Sequence, residues 1–185
     1  MIFKKLEDAI VQLDELVPHQ LCDIIRKYID WRVENKLLTH NPMMESHRKV
    51  NGHTLNKDHI SDFVHFGNIQ NVITKAYMHY KFKFPQILTV SLNQIDILRY
   101  EKGDEYKWHS DNHATAPRLL SAIVNLNDDY EGGDLVFGYQ NLKDEMKRVA
   151  LKKGSIVFFP SSFLYPHKIE PITKGKRYSA VLWLK

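Results

Sequence analysis

Apolar positions change their spacing partway along the chain. Over residues 18 to 38, PHQLCDIIRKYIDWRVENKLL, the residues Leu21, Ile24, Ile25, Tyr28 and Ile29 recur at helical intervals, and Pro18 suits a first turn, so a helix is expected. A second stripe, Ile69, Val72, Ile73, Ala76, Tyr77 and Tyr80, predicts another helix over Asn68 to Phe82. Ala9 to Leu13 fits either a short strand or part of a preceding helix. From His40 to Gly67 the chain is polar and aperiodic, with turn signals at Asn41-Pro42 and Asn51-Gly52, and reads as a long functional or mobile connection.

After Pro85 the period shortens, and apolar runs alternate with Gly, Asn and Asp turns. Strands are expected at Thr89–Tyr100, Lys107–Asp111, Arg118–Asn127, Gly133–Phe137, Arg148–Leu151, Ser155–Phe159, Tyr165–Glu170 and Lys176–Leu184. In Arg118–Asn127, Leu120, Ala122, Val124 and Leu126 alternate with a second face, the mark of a half-buried strand. Two helices followed by eight short strands predict a mainly β, α+β domain: a β-sandwich or jelly roll on a helical support. Residues 1–85 would be the support and loop, and 86–185 the jelly-roll core, of a single domain.

Length and charge narrow the class. A chain of 185 residues can bury roughly 70% of its unfolded surface, and 43% hydrophobic with 26% charged residues is ordinary for a globular protein. Apolar runs such as IVFF at 156 to 159 are too short to cross a bilayer, and the first residues lack a signal-peptide layout. A soluble, cytoplasmic protein with no membrane partner is expected. The formal charge of +4 is scattered, its basic runs no longer than pairs such as Lys152-Lys153, which favours a solvated surface over nucleic-acid binding. Cys22 is the single cysteine and lies in a helical stripe, so a buried structural thiol is expected.

Candidate chemistry begins at WHSDN, residues 108 to 112. Residues i and i+2 of a strand share a face about 6.6 Å apart, so His109 and Asp111 can address one ion, while Trp108 and Ser110 point away. So short a pattern also arises by chance on a surface. His167, after the apolar run ending at Pro160, supplies a third candidate ligand. Two imidazoles and one carboxylate form the open facial set used by non-haem Fe(II) oxygenases, whereas a closed zinc site calls for a fourth ligand that Cys22 is poorly placed to give. Ten residues on, Arg177 shares a strand face with Ser179, Val181 and Trp183. A guanidinium aimed into an apolar interior needs an anion, such as the carboxylate of a bound small molecule. The alternative is a surface arginine at a strand start.

The other polar and aromatic candidates have plainer readings. His40, His47, His53, His59 and His65 fit neither a helix face nor a zinc motif and read as solvated loop residues. His113 and Arg118 could contact a substrate or simply pack. Tyr106 and Trp108 could line a pocket, with packing favoured. Glu131-Gly132-Gly133-Asp134 reads as a tight turn, and Phe158 and Phe159 as core.

Taken in order, ILRYEKGDEYKWHSDN, RLLSAIVNLNDDYEGGDLVF and GSIVFFPSSFLYPHKIEPITKGKRYSAVLWL resemble the Fe(II)/2-oxoglutarate dioxygenases of the prolyl 4-hydroxylase-like branch over about residues 90 to 185. The helix ELVPHQLCDIIRKYI is similar to that branch's N-terminal support. The resemblance implies a double-stranded β-helix, or jelly roll, with His109, Asp111 and His167 as iron ligands. It implies Arg177 on the distal carboxylate of 2-oxoglutarate, Tyr100 reaching the same group, and Ser179 completing an R-x-S anchor. Arginine at 177, with HSDN, is more similar to bacterial and phage members. The implied reaction consumes O2 and 2-oxoglutarate, releases succinate and CO2, and hydroxylates a C–H bond of a peptidyl proline, with ascorbate as an accessory. The same chemistry on a small molecule or a nucleobase is the alternative. A non-catalytic metal-binding jelly roll that holds a partner on its basic surface is the competing class. Neither substrate nor oligomeric state is legible at this level.

Overall fold

The computed structural model describes residues 5–40, 47–87 and 91–185. A 3-10 turn, Leu6–Ala9, leads to strand β1 (Val11–Leu13), helix α1 (His19–Glu34), strand β2 (Asn51–Thr54) and helix α2 (Ile60–Lys83). Ten strands follow: β3 (Leu92–Tyr100), β4 (Tyr106–His109), β5 (Leu120–Asn125), β6 (Glu131–Gly132), β7 (Leu135–Gly138), β8 (Glu145–Val149), β9 (Ile156–Pro160), β10 (His167–Ile169), β11 (Ile172–Lys174) and β12 (Arg177–Leu184).

The strands form an antiparallel jelly roll on two helices. A six-stranded sheet runs β1-β9-β5-β12-β3-β2, a four-stranded sheet runs β4-β10-β7-β8, and β11 pairs with β6. Alternation along the central strands divides the core in two. Leu120, Ala122, Val124, Tyr178, Ala180 and Leu182 pack with Cys22, Ile25, Ile29, Ile69 and Ile73 of the helices. Ile123, Leu98, Tyr100, Val157 and Phe159 meet Leu135, Phe137 and Ile169 of the second sheet. Phe158 and Phe159 are both core, one on each side. The strand expected to be half-buried, β5, is buried at every position, because the helices cover the face that would otherwise be wet.

The stretch read as a long irregular connection is ordered where it is described. Asn51-Gly52, expected as a turn, lies in β2, and a Cβ on Gly52 would come within 2.7 Å of Leu98 Cδ2, so glycine permits close approach to β3. Helix α2 begins at Ile60, well before Asn68. Its inward line is Asp62, Phe66, Ile69, Ile73, Ala76 and Tyr80, and its first member is charged, so an apolar stripe hides the start. Helix α1 ends at Glu34, short of Leu38, with Lys36 at φ 58°. The Asn41-Pro42 signal, and residues 89 and 90 of the first expected strand, lie outside the described residues.

Of the five histidines of this stretch, His47 and His59 are exposed as expected, whereas the other three are partly or fully buried. His53 is buried against Asp62, His40 Nε2 lies 3.3 Å from Asp96 Oδ2, and His65 stacks on Tyr28 at 4.0 Å. Asp62 is 1% exposed and accepts from Arg32 Nη2 at 2.7 Å, His53 Nε2 at 3.0 Å, the backbone N–H of Asn56 at 3.0 Å and the Tyr28 hydroxyl. Burial opposes its ionisation, but these donors outweigh burial and hold the carboxyl at about 2. The stabilisation is thus full above about pH 4, where an unfolded aspartate is ionised, and fades as pH falls towards 2. Asp62→Ala leaves Arg32 without its buried partner and is expected to cost about 3 kcal/mol at neutral pH, read as a lower urea midpoint. That deficit should shrink on acidification below pH 4, and a constant deficit would argue against this account.

Candidate metal centre

The two candidate histidines are a cross-strand pair. Strands β4 and β10 are antiparallel neighbours with His109 opposite His167 and ring centroids 4.2 Å apart. Each ring is oriented by a carbonyl two residues earlier in the chain: His109 Nδ1 lies 2.8 Å from Lys107 O, and His167 Nδ1 lies 3.1 Å from Tyr165 O. A carbonyl only accepts, so Nδ1 carries the hydrogen and Nε2 keeps its lone pair. Those Nε2 atoms lie 3.6 and 3.7 Å from the oxygens of Asp111. One ligand atom from each of the three residues falls within 4.8 Å of the others.

Asp111 differs from its expected setting. Strand β4 ends at His109, and Asp111 occupies the bend beyond it, so ladder pairing does not place it. Its anchors come from the six-stranded sheet side: Ser121 Oγ donates to Oδ2 at 2.6 Å, Arg118 Nη1 donates to its carbonyl at 3.1 Å, and the Asn112 N–H donates to Ser161 O at 3.0 Å. Burial opposes ionisation of Asp111, but the two imidazoles and the Ser121 hydroxyl keep its carboxyl below the usual range. Burial, joined by His167, pushes the His109 imidazole down to about 3, so it stays neutral and able to ligate at ordinary pH.

Arg177 faces the same cavity, from a different sheet. The cavity is lined by the three candidate ligands together with Arg48, Tyr100, Tyr106 and Trp183, and by Leu98, Ile123, Ile169 and Val181. Arg177 is 1% exposed, with Nη1 3.4 Å from Ser179 Oγ and Cζ 5.3 Å from the Tyr100 ring centroid, Tyr100 being its register partner on β3. Its Nε and Nη2 are buried with no hydrogen-bond partner among the described residues. A desolvated guanidinium with idle donors is costly unless an anion completes it. The donor set therefore fits a divalent metal, and the idle fork fits a carboxylate held a short way from it.

Several contributors escape the sequence pattern. Arg48, from the stretch read as irregular, lies 7% exposed with Cζ 5.1 Å from the Tyr106 ring centroid. Tyr106 stacks on His109 at 3.5 Å and 15°, so it lines the pocket, whereas Trp108 turns away and packs over Gly138. The Glu131-Gly132-Gly133-Asp134 segment is more than a turn. Its first two residues pair with β11, and a Cβ on Gly133 would stand 3.1 Å from Arg177 Cδ and 2.4 Å from Ile172 Cδ1, so the glycine makes room for the arginine stem. Of the two candidate contact residues, His113 is exposed, while Arg118 stacks 3.7 Å from the Trp183 ring centroid.

Comparison with known proteins bears on the same half of the chain. The sequence profile of the 2OG-Fe(II) oxygenase superfamily, whose description names the iron and the 2-oxo acid, matches residues 95–185. A PKHD-type hydroxylase of Synechococcus sp. (strain CC9902) is 40% identical over 98 residues, covering 51% of this chain and 42% of the relative. The chain thus spans under half the length of that relative. Among solved structures, the viral collagen prolyl hydroxylase vCPH of Paramecium Bursaria Chlorella virus-1 superposes with a TM-score of 0.70 at 19% identity, covering 95% of each chain. A prolyl hydroxylase of Trichoplax adhaerens, in complex with a hypoxia inducible factor peptide fragment, does so with a TM-score of 0.77 at 12% identity, over 95% of this chain and 83% of that one. At such identities these two likenesses speak for the jelly-roll fold. No helix among the described residues is long and apolar enough to cross a membrane. The strand-rich segment 95–185 thus carries the sequence profile of the 2OG-Fe(II) oxygenase superfamily, and the superpositions extend the same fold across the chain.

Proposed function

We propose that this chain is an Fe(II)- and 2-oxoglutarate-dependent hydroxylase, acting as one dioxygenase domain. His109, Asp111 and His167 hold the metal through two Nε2 atoms and a carboxylate oxygen. Arg177, with Ser179 and Tyr100 beside it, holds the distal carboxylate of the cosubstrate. One observation carries the reading: the idle Nε and Nη2 of a buried arginine face the same cavity as a metal-ready donor set. When bound, iron and 2-oxoglutarate supply the activation of O2 that yields succinate and CO2 and hydroxylates a C–H bond, with ascorbate as an accessory reductant.

The chain's own residues orient and dry the site. The carbonyls of Lys107 and Tyr165 fix both imidazole tautomers. Tyr106 covers one face of His109, and Leu98, Ile123, Ile169 and Val181 form an apolar wall that strengthens the pairing of Arg177 with a carboxylate. A peptidyl proline is the proposed substrate, in line with the prolyl hydroxylases whose fold superposes on this chain.

The test is anaerobic loading with Fe(II) and 2-oxoglutarate, monitored for a weak visible charge-transfer band, then succinate assay on admitting air with proline-rich peptides present. Band, succinate and a peptide carrying one added oxygen atom are expected. Succinate without peptide oxidation moves the substrate to a small molecule or nucleobase. Folded protein giving neither band nor succinate sinks the enzyme reading and leaves a binding module.

A further inference from the structure

The two sides of the candidate site are held by different means. Both histidines belong to a ladder, β4 against β10, and their rings are fixed by carbonyls of their own strands. Asp111 stands past the end of β4 and has no such frame. Its carboxylate instead reaches the opposite sheet, where it meets a pair of buried serines. Ser121 projects from β5, flanked by Leu120 and Ala122 in an otherwise apolar stretch, and is 0% exposed. Ser161 follows directly on β9 and is 1% exposed.

Hydrogen positions in this pair follow from chemistry. An ionised carboxylate only accepts, so the Ser121 hydroxyl donates to Asp111 Oδ2 at 2.6 Å. Having spent its proton there, Ser121 Oγ accepts from Ser161 Oγ at 2.8 Å. The direction is therefore fixed: Ser161 to Ser121 to Asp111. Each bond polarises the next in a dry interior. Ser161 is itself tied at both ends of its backbone, its N–H donating to Leu119 O at 3.1 Å and its carbonyl accepting from Asn112 N at 3.0 Å. The relay thus starts from a point that cannot drift relative to the bend carrying Asp111.

We infer that Ser121, backed by Ser161, is the positioning residue for the metal-ligating carboxylate: it occupies one side of Oδ2, locks the Asp111 rotamer and limits the carboxylate to one-oxygen ligation. This rests on the proposed metal site. It adds to that reading a residue pair lying outside the His-x-Asp and late-His pattern. Two-oxygen ligation by a carboxylate free to rotate would take up a coordination position that a facial triad leaves open for other ligands.

The experiment uses the full chain, stripped of metal and kept anaerobic, titrated with Co(II) and Mn(II) as probes. Ser121→Ala is expected to weaken both metals by about 10- to 100-fold, the usual range for losing a partner of a metal ligand, and to alter the visible absorption of bound Co(II), which reports the ligand field. Ser161→Ala keeps the donor to Asp111 and removes only the group behind it, so it should weaken binding by a smaller factor. Thermal melts of the metal-free variants provide the control for folding. A role confined to packing predicts lower melting temperatures with Co(II) affinity and spectrum unchanged, and that result overturns the inference while leaving the metal site intact. Weaker binding in Ser161→Ala than in Ser121→Ala also overturns it. Folded unmodified protein that takes up neither metal overturns the metal site and this inference together.

Discussion

Arg177→Met is expected to remove measurable 2-oxoglutarate binding while leaving Mn(II) affinity within a few-fold of the unmodified protein. The side chain is 1% exposed, and two of its nitrogens have no partner among the described residues, so their hydrogen bonds are available to a ligand. Deleting one partner of a buried, hydrogen-bonded charge pair costs about 2–5 kcal/mol, or roughly 30- to 4000-fold in affinity. Methionine keeps an unbranched stem in the space that Gly133 leaves free. It also removes a desolvated cation, so the ligand-free variant should melt no lower than the unmodified protein, the reverse of an ordinary core substitution. Calorimetric titration of 2-oxoglutarate into the Mn(II)-loaded protein decides the first point, and a thermal scan of the ligand-free form decides the second. Unchanged 2-oxoglutarate affinity would remove Arg177 from the site.

Asp111→Ala should abolish turnover by removing the metal itself. The variant keeps both imidazoles on their carbonyl partners but loses the only carboxylate among the residues that line the cavity. Metal affinity is expected to fall by more than about 100-fold, beyond the loss typical of an outer partner. Ligand linkage provides the readout, since Mn(II) that binds the folded chain raises its melting temperature in proportion to RT ln(1 + [metal]/Kd). The unmodified protein should show that rise and Asp111→Ala should not. A variant that still gains stability from Mn(II) and consumes 2-oxoglutarate sinks the assignment of this carboxylate.

How much of this was legible depended on whether a residue's neighbours lie near it in sequence. Strand β12 can be read face by face because its alternation is regular: Arg177, Val181 and Trp183 line the cavity, with Ser179 against the Arg177 guanidinium. His167 stood out by its place after an apolar run. In the sequence Asp111 reads as part of a strand, yet its position is set by Ser121, Arg118 and the bend, contacts that only the folded sheets create. The start of α2 was hidden because the inward position at its first turn is Asp62, and a buried charge satisfied by Arg32, His53 and Tyr28 cannot be told from a solvated one in a linear pattern. Strand β2 reads as a turn in the sequence because Asn51-Gly52 carries turn chemistry; the glycine serves close approach to Leu98 instead. Ser121 left a faint trace, a hydroxyl interrupting an apolar strand, but its role needs Ser161, forty positions away in the chain.

The two-sided burial of β5 and β12 also governs what can be cut from this chain. The matched segment, residues 95–185, contains every candidate ligand, and would look like the natural minimal piece to express. Yet the outer face of its large sheet is Leu120, Ala122, Val124, Tyr178, Ala180 and Leu182, now covered by α1 and α2. The sheet's two edges are β1 and β2, which also lie upstream of the cut. Excision would bare an oily slab bordered by two unpaired strand rims, the combination that drives chains to stack on one another. Such a fragment should collect in inclusion bodies, however intact its chemistry looks on paper, because the cover for that face resides in the half that carries no metal ligand.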